Sequence, residues 1–149
     1  MKNKWKIAIE LLLIYIFCAN TYVGIEIVYR NFSDRNMWIL AGFIGIFAYE
    51  INNTILNYDV DYLIQCGMMT TIATLFEGIC GHIANWNYQI WDYRDLPFSF
   101  WDAQCNLYFC IAWFIIMFIV IAMLDVIDWK MFNGEKPHYI ILGRRINIL

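Results

Sequence analysis

Four blocks of mostly apolar residues, at about 7–28, 37–55, 63–84 and 105–124, constrain this chain more than any other feature. Each is close to the ~20 residues a helix needs to cross the hydrocarbon core of a bilayer. The expected fold is an all-α integral membrane protein, with four transmembrane helices forming one membrane domain over 1–149. A content of 62% hydrophobic and only 15% charged residues is far from a soluble average, so most of the surface to be covered faces lipid.

The charges fix an expected orientation. Lys2, Lys4 and Lys6 precede the first block, which is too long for a signal-peptide core and has no small-residue cleavage site after it. Trp5 reads as an interfacial anchor, and Glu10, about a turn inside, as a headgroup-reaching side chain. Four spans place both termini on one side with Lys2, Lys4, Lys6, Lys130, Lys136, Arg144 and Arg145. The other side holds Arg30, Arg35 and Arg94. Seven against three favours cytoplasmic termini. The long aromatic connection over 85–104 then faces outward, and a prokaryotic cell membrane is the expected setting.

Helix contacts are expected where small residues recur four apart: Asn20 with Gly24, and Ala41 with Gly45. The third span carries two such rows, Cys66, Thr70, Thr74, Gly78 and beside them Ala73, Glu77, Gly81, which form one face. That face should pack on other helices, with Leu63, Met68, Met69 and Ile72 supplying bulk elsewhere. Asp125 and Asp128 should end the fourth span, before a short polar tail.

Glu77 is the sharpest single residue. It lies about seven residues from the end of its span, roughly 10 Å deep at the helical rise. An acid there costs about 2.5–3.5 kcal/mol on insertion scales unless paired, hydrated or neutral. It reads either as an ion- or proton-linked site or as polar glue. His82, Arg30 and Arg94 are its candidate partners, although His82, five residues on, points well away on the same helix. Glu26 and Arg30 form an i,i+4 pair in the favourable order, or Glu26 shares a pocket with Glu77. Trp91, Asp92, Tyr93, Arg94, Asp95, Pro97 and Phe98 read either as an interfacial aromatic anchor or as a binding cap, with Arg94 between two acids and rings placed for cation–π contact.

Several chemistries lack their residues. There is no phosphate-binding G-x-x-x-x-G-K-[ST] loop, no G-x-S-x-G, no H-E-x-x-H and no Cys–His pairing. No catalytic residue, metal ligand set or cofactor is expected. The absence of a basic run argues against nucleic acid. Cys18, Cys66, Cys80, Cys105 and Cys110 contain no C-x-x-C pair and read as small apolar residues, a Cys80–Cys105 bridge being the one pairing to check.

Glu77 with Gly81 four later, then Trp91-Asp92-Tyr93, Pro97-Phe98, Cys105 and Trp113, resemble the ABC-transporter type IV (CmpB-like) membrane family. They also resemble its animal relatives, the transmembrane protein 229 group. Ile25-Glu26-Ile27-Val28-Tyr29-Arg30 is similar to the family's first-span exit. The chain departs from the pattern at Tyr22-Val23, at Met37 to Gly42, at Arg94 in place of a Ser and at Asp102 in place of a Gly. The resemblance covers the first span's exit and 77–113. It implies a four-helix membrane protein whose matched acids and W-D-Y residues cluster and, through the family's permease label, a transport role.

Three functions follow as expectations. The first is a permease-like transporter component in the lipid bilayer, completed by a homo-oligomer or another membrane subunit and, if ATP-driven, by a separate ATPase. The second is a non-catalytic binding module: an adaptor, sensor or accessory subunit. The third is a pore-forming, holin-like effector.

Overall fold

The computed structural model describes residues 4–56 and 58–147; Lys2 of the charge count lies outside them. Helix α1 runs Lys4–Arg30, α2 Arg35–Ile51, α3 Tyr62–Ala84 and α4 Leu107–Met131. All four are long and apolar enough to cross a membrane. Three begin at side chains that satisfy an otherwise orphaned backbone donor. Asp34 accepts from Asn36 N at 2.7 Å, Asp61 from Leu63 N at 3.0 Å and Asn106 from Tyr108 N at 2.9 Å. At its far end α2 widens into a π-helical turn, Asn52–Leu56, the sort of distortion that re-aims side chains.

Helix α1 packs mainly on α2, and α3 on α4, with α2 joining the two pairs. Ile14, Cys18, Ile44, Met69, Met117 and Ile121 fill the middle. Close approach of α1 and α2 depends on two glycines. A methyl group at Gly42 would fall on the Tyr15 ring and one at Gly45 on Cys18. Leu12, Phe43, Ile64, Leu75 and Ile115 point outward, as expected of helices apolar all round.

Several expectations need correction. The predicted helix contact at Asn20 and Gly24 is made only at Asn20, which accepts from Trp38 Nε1 of α2 at 3.1 Å, while Gly24 faces open space. Met69, assigned to the outer bulk, is fully buried. The fourth helix starts at Leu107 rather than 105 and continues to Met131.

The chain is also not purely helical. Strands β1 (Ser99–Phe100) and β2 (Cys105–Asn106) pair antiparallel, so Cys105 belongs to a strand. The tail folds into a second hairpin, β3 (His138–Ile141) on β4 (Arg144–Asn147). Its Leu142-Gly143 turn has φ of 51° and 75°. A tight turn that matches strand twist needs this pair of positive angles, and Gly143 adopts its own freely. Tyr139 plugs the hairpin into the bundle, and a bridge from Ile140 to Asp61 ties it to the start of α3.

Candidate functional site

Glu77 is only 3% exposed. Its two oxygens have separate donors: Oε1 accepts from the Tyr93 hydroxyl and Oε2 from Trp113 Nε1, each at 3.0 Å. Both donors are held by ring stacking. Trp113 lies on Tyr22 at 5.2 Å and Tyr93 on Phe109 at 4.5 Å. Neither donor carries a charge. One comes from α4 and the other from the connection between α3 and α4, so the acid joins the loop to the bundle.

That connection alternates inward and outward. Trp91 and Tyr93 are buried, whereas Asp92, Arg94, Asp95, Pro97 and Phe98 are exposed. Arg94 donates to both oxygens of Asp92, at 2.9 and 2.7 Å, and lies 4.3 Å from the centre of the Tyr88 ring. The cation sought for these rings is therefore the chain's own. The bonds from Arg94 hold the Asp92 carboxyl down at about 2, below its ordinary 3.8.

Two buried amides that the sequence reading passed over fix the loop. Asn85 Nδ2 donates to Trp91 O at 2.7 Å and to Gln104 Oε1 at 3.0 Å, while its Oδ1 accepts from Ile90 N at 2.8 Å. Gln104 Nε2 donates to Asn85 O at 3.1 Å, and Trp91 Nε1 to Gln104 O at 3.0 Å. Gly78 and Gly81 make room for Trp101 and Gln104. The upper part of the small-residue face of α3 thus receives the loop and not another helix, which corrects the expectation for those two glycines.

Glu26 and Arg30 pair at 2.9 Å. Arg30 also donates to Ile90 O at 2.7 Å, and Ser33 Oγ to Glu26 Oε2 at 2.6 Å. This ties the end of α1 to the residue before Trp91. Tyr22 lies within electrostatic reach of both Glu26 and Glu77. Glu26, Arg30, Glu77, Trp91 and Tyr93 therefore gather at one end of the bundle. His82 does not join them. Its ring nitrogens meet Gly78 O at 2.7 Å and Asp102 Oδ2 at 3.1 Å, on the side facing Trp101. Trp101, Asp102 and Ala103 all have φ of 53–55°, a left-handed turn that is costly without glycine and that Asp tolerates better than most residues.

The opposite end, where the described termini lie, holds a second polar cluster. Glu10, expected to reach outward from the end of its span, is buried there. The Tyr49 hydroxyl contacts both Glu10 Oε1 and Asp128 Oδ1, the latter at 2.6 Å. Asp125, expected at the exit of its span, is 1% exposed and accepts from Asn52 Nδ2 at 2.7 Å and from the Tyr139 hydroxyl at 2.6 Å. No spacing rule connects positions 10, 49, 125 and 139; only the fold does. The one available signal is that Asp125 and Asp128 are three apart and so share a face.

Among the described residues no group of three or more His, Cys, Asp or Glu side chains is placed to hold a metal ion. All five cysteines are free thiols, Cys80 and Cys105 included. No family model, no curated protein and no solved structure matches the chain.

Proposed function

We propose that the chain is a membrane-embedded, permease-like component with both termini cytoplasmic, in which Glu77 is the intramembrane polar site and the Trp91–Tyr93 segment is its outer latch. The observation that carries this reading is the pair of neutral donors on Glu77, one of which belongs to the loop. Lifting the loop removes one donor from the acid and opens it to the outer side in one movement. Acid exposure and loop position are thereby coupled, as a gated site requires.

The latch as it stands is shut. Glu77 is 3% exposed, closed off by Tyr93 and Trp113. A route across the membrane therefore needs loop movement together with a second copy or another membrane subunit. An ATP-driven version needs a separate ATPase.

The test is affinity purification in mild detergent with size analysis, wild type beside Glu77→Gln. A self-oligomer or a stoichiometric subunit is expected; a self-oligomer whose size changes in Glu77→Gln instead marks the acid as structural glue. A strictly monomeric particle that carries no other subunit overturns the reading.

A second reading has its own support. The outward side of the connection exposes Leu96, Phe98, Phe100 and Trp101 beside the Asp92–Arg94 pair, a surface suited to an adaptor or accessory subunit. On that reading Arg94→Ala and Phe98→Ala weaken capture of the partner while Glu77→Gln leaves it unchanged. Trp91, being buried, is no test of partner binding.

A further inference from the structure

The tail hairpin enters the bundle by one face of one strand. Tyr139 of β3 is 1% exposed, set against Tyr62 at the start of α3 and Asp125 of α4. Residues directly opposite in an antiparallel pair share a face. The register sets Ile146 opposite Tyr139 and Arg144 opposite Ile141, so Arg144 and Ile146 lie on the face that Tyr139 uses. Yet Ile146 is 42% exposed, and Arg144 is exposed as well. Strand β3 lies between Asp61 and β4, so β4 is the outer strand and overhangs the bundle. The direction that meets helices beneath β3 meets the surroundings of the bundle beneath β4. The overhang carries one sign of charge. From Lys136 to Asn147 there are two arginines, one lysine and no acid, and Glu135 just before them faces His138 at 3.7 Å. Neither Arg144 nor Arg145 has an acidic partner among the described residues. Leu142, at the tip, is 80% exposed with φ of 51°, where asparagine or glycine is the usual choice. A leucine there costs backbone strain and gains no burial from its own chain.

We propose that the tail hairpin docks on anionic phospholipid, with Arg144 at the headgroup phosphate and Leu142 and Ile146 in the apolar layer just beneath. A phosphate answers the guanidinium fork, and acyl chains answer the two exposed aliphatic side chains. A second copy of the chain fits this surface poorly. Pairing two β4 edges brings four arginines onto one short seam, where like charges repel, and charged edges of this kind block strand addition. The proposal rests on the membrane-spanning part of the reading above, and not on Glu77, its latch or the side on which the termini lie.

The test uses the full chain in phosphatidylcholine nanodiscs, with a fluorophore on Leu142→Cys. Cys18, Cys66 and Cys105 are buried, and the wild type treated alike sets the labelling background. Phosphatidylglycerol or phosphatidylcholine, each spin-labelled at the same shallow acyl position, is included at equal low mole fraction. Judged from quenching of the fluorophore, phosphatidylglycerol should be preferred by roughly an order of magnitude, the scale set by two basic side chains at an anionic surface. High salt should remove the preference. Arg144→Gln should lower it roughly fivefold, and Arg144→Gln/Arg145→Gln should abolish it while the β3 amides stay protected from hydrogen exchange. Equal quenching by the two lipids, or an undiminished preference in the double variant, overturns the proposal. Absence of quenching by either lipid places the hairpin clear of the bilayer and also overturns it. If the native tryptophans then escape quenching too, the membrane-spanning reading falls with it. Energy transfer between fluorophores on two copies, without a lipid preference, overturns the proposal in favour of a second copy.

Discussion

Tyr93→Phe removes one oxygen and leaves a ring that still stacks on Phe109 at 4.5 Å. It deletes the 3.0 Å bond to Glu77 Oε1 and leaves the bond from Trp113 in place. A hydrogen bond to a charged group is worth about 1.5–3 kcal/mol, whereas polar pairs measured inside membranes average about 0.6 and reach about 1.7 kcal/mol. With the acceptor buried and both donors neutral, the expected cost lies near the top of the membrane range, about 1.5 kcal/mol. In Glu77→Gln the amide oxygen faces Trp113, a donor only, and the amide N–H₂ faces Tyr93, whose hydroxyl turns to accept. That neutral bond is weaker, so Tyr93→Phe should cost about 1 kcal/mol less in the Gln background. The assay is reversible unfolding in mixed micelles for the four members of the cycle. It is run beside maleimide labelling of Cys105, which is fully buried, in a variant lacking the other cysteines. Tyr93→Phe should speed the labelling. A cost below about 0.3 kcal/mol together with unchanged labelling refutes the latch.

Other outcomes follow from the packing and the charges. Gly45→Ala and Gly78→Ala meet Cys18 and the Trp101 ring and should each destabilise by roughly 1–3 kcal/mol. Gly67→Ala, with open space around it, should be neutral or stabilise by up to about 1 kcal/mol; thermal unfolding of the purified protein ranks the three. Asp92 has its pKa depressed by Arg94, so its contribution to loop order is complete above about 3.8 and disappears as pH falls through about 2. Acid-protease nicking near 92–98 should rise over that window in the wild type and be high throughout it in Asp92→Asn. Tyr139→Phe removes a donor from buried Asp125, and hydrogen exchange in the tail hairpin should accelerate while the amides of α1 stay protected.

The helices were legible because length and apolarity alone decide them. The caps Asp34, Asp61 and Asn106 obey ordinary start rules but were passed over, whereas Gly45 lies where a small-residue ridge predicts helix contact. The nearness of Glu77 to the W-D-Y stretch was implied only by the resemblance; the residues themselves pointed to His82, Arg30 and Arg94, whereas Tyr93 and Trp113 are its donors. What stayed hidden depends on distance in sequence. Glu10 looked superficial because depth was counted along α1, whereas Tyr49 and Asp128 close over it from other helices. Gly78 and Gly81 were assigned to helix packing because spacing shows that room exists and not which group takes it. The tail hairpin was missed because its turn is Leu-Gly rather than Asn-Gly. Asn85 and Gln104, which hold the loop, are neutral amides in an aromatic stretch, and nothing in their spacing marks them.

The order of partners along the chain has a consequence for biogenesis. Both donors to Glu77 lie downstream of it, in the loop and in α4. When α3 leaves the ribosome its acid has no companion, and a lone acid at that depth opposes partition into lipid by a few kcal/mol. On the membrane reading, α3 is therefore retained at the insertion machinery until Trp113 has been synthesised, and α3 and α4 enter lipid together as a helical hairpin. A chain truncated before α4 should leave α3 carbonate-extractable, and Glu77→Leu should release it into the bilayer early.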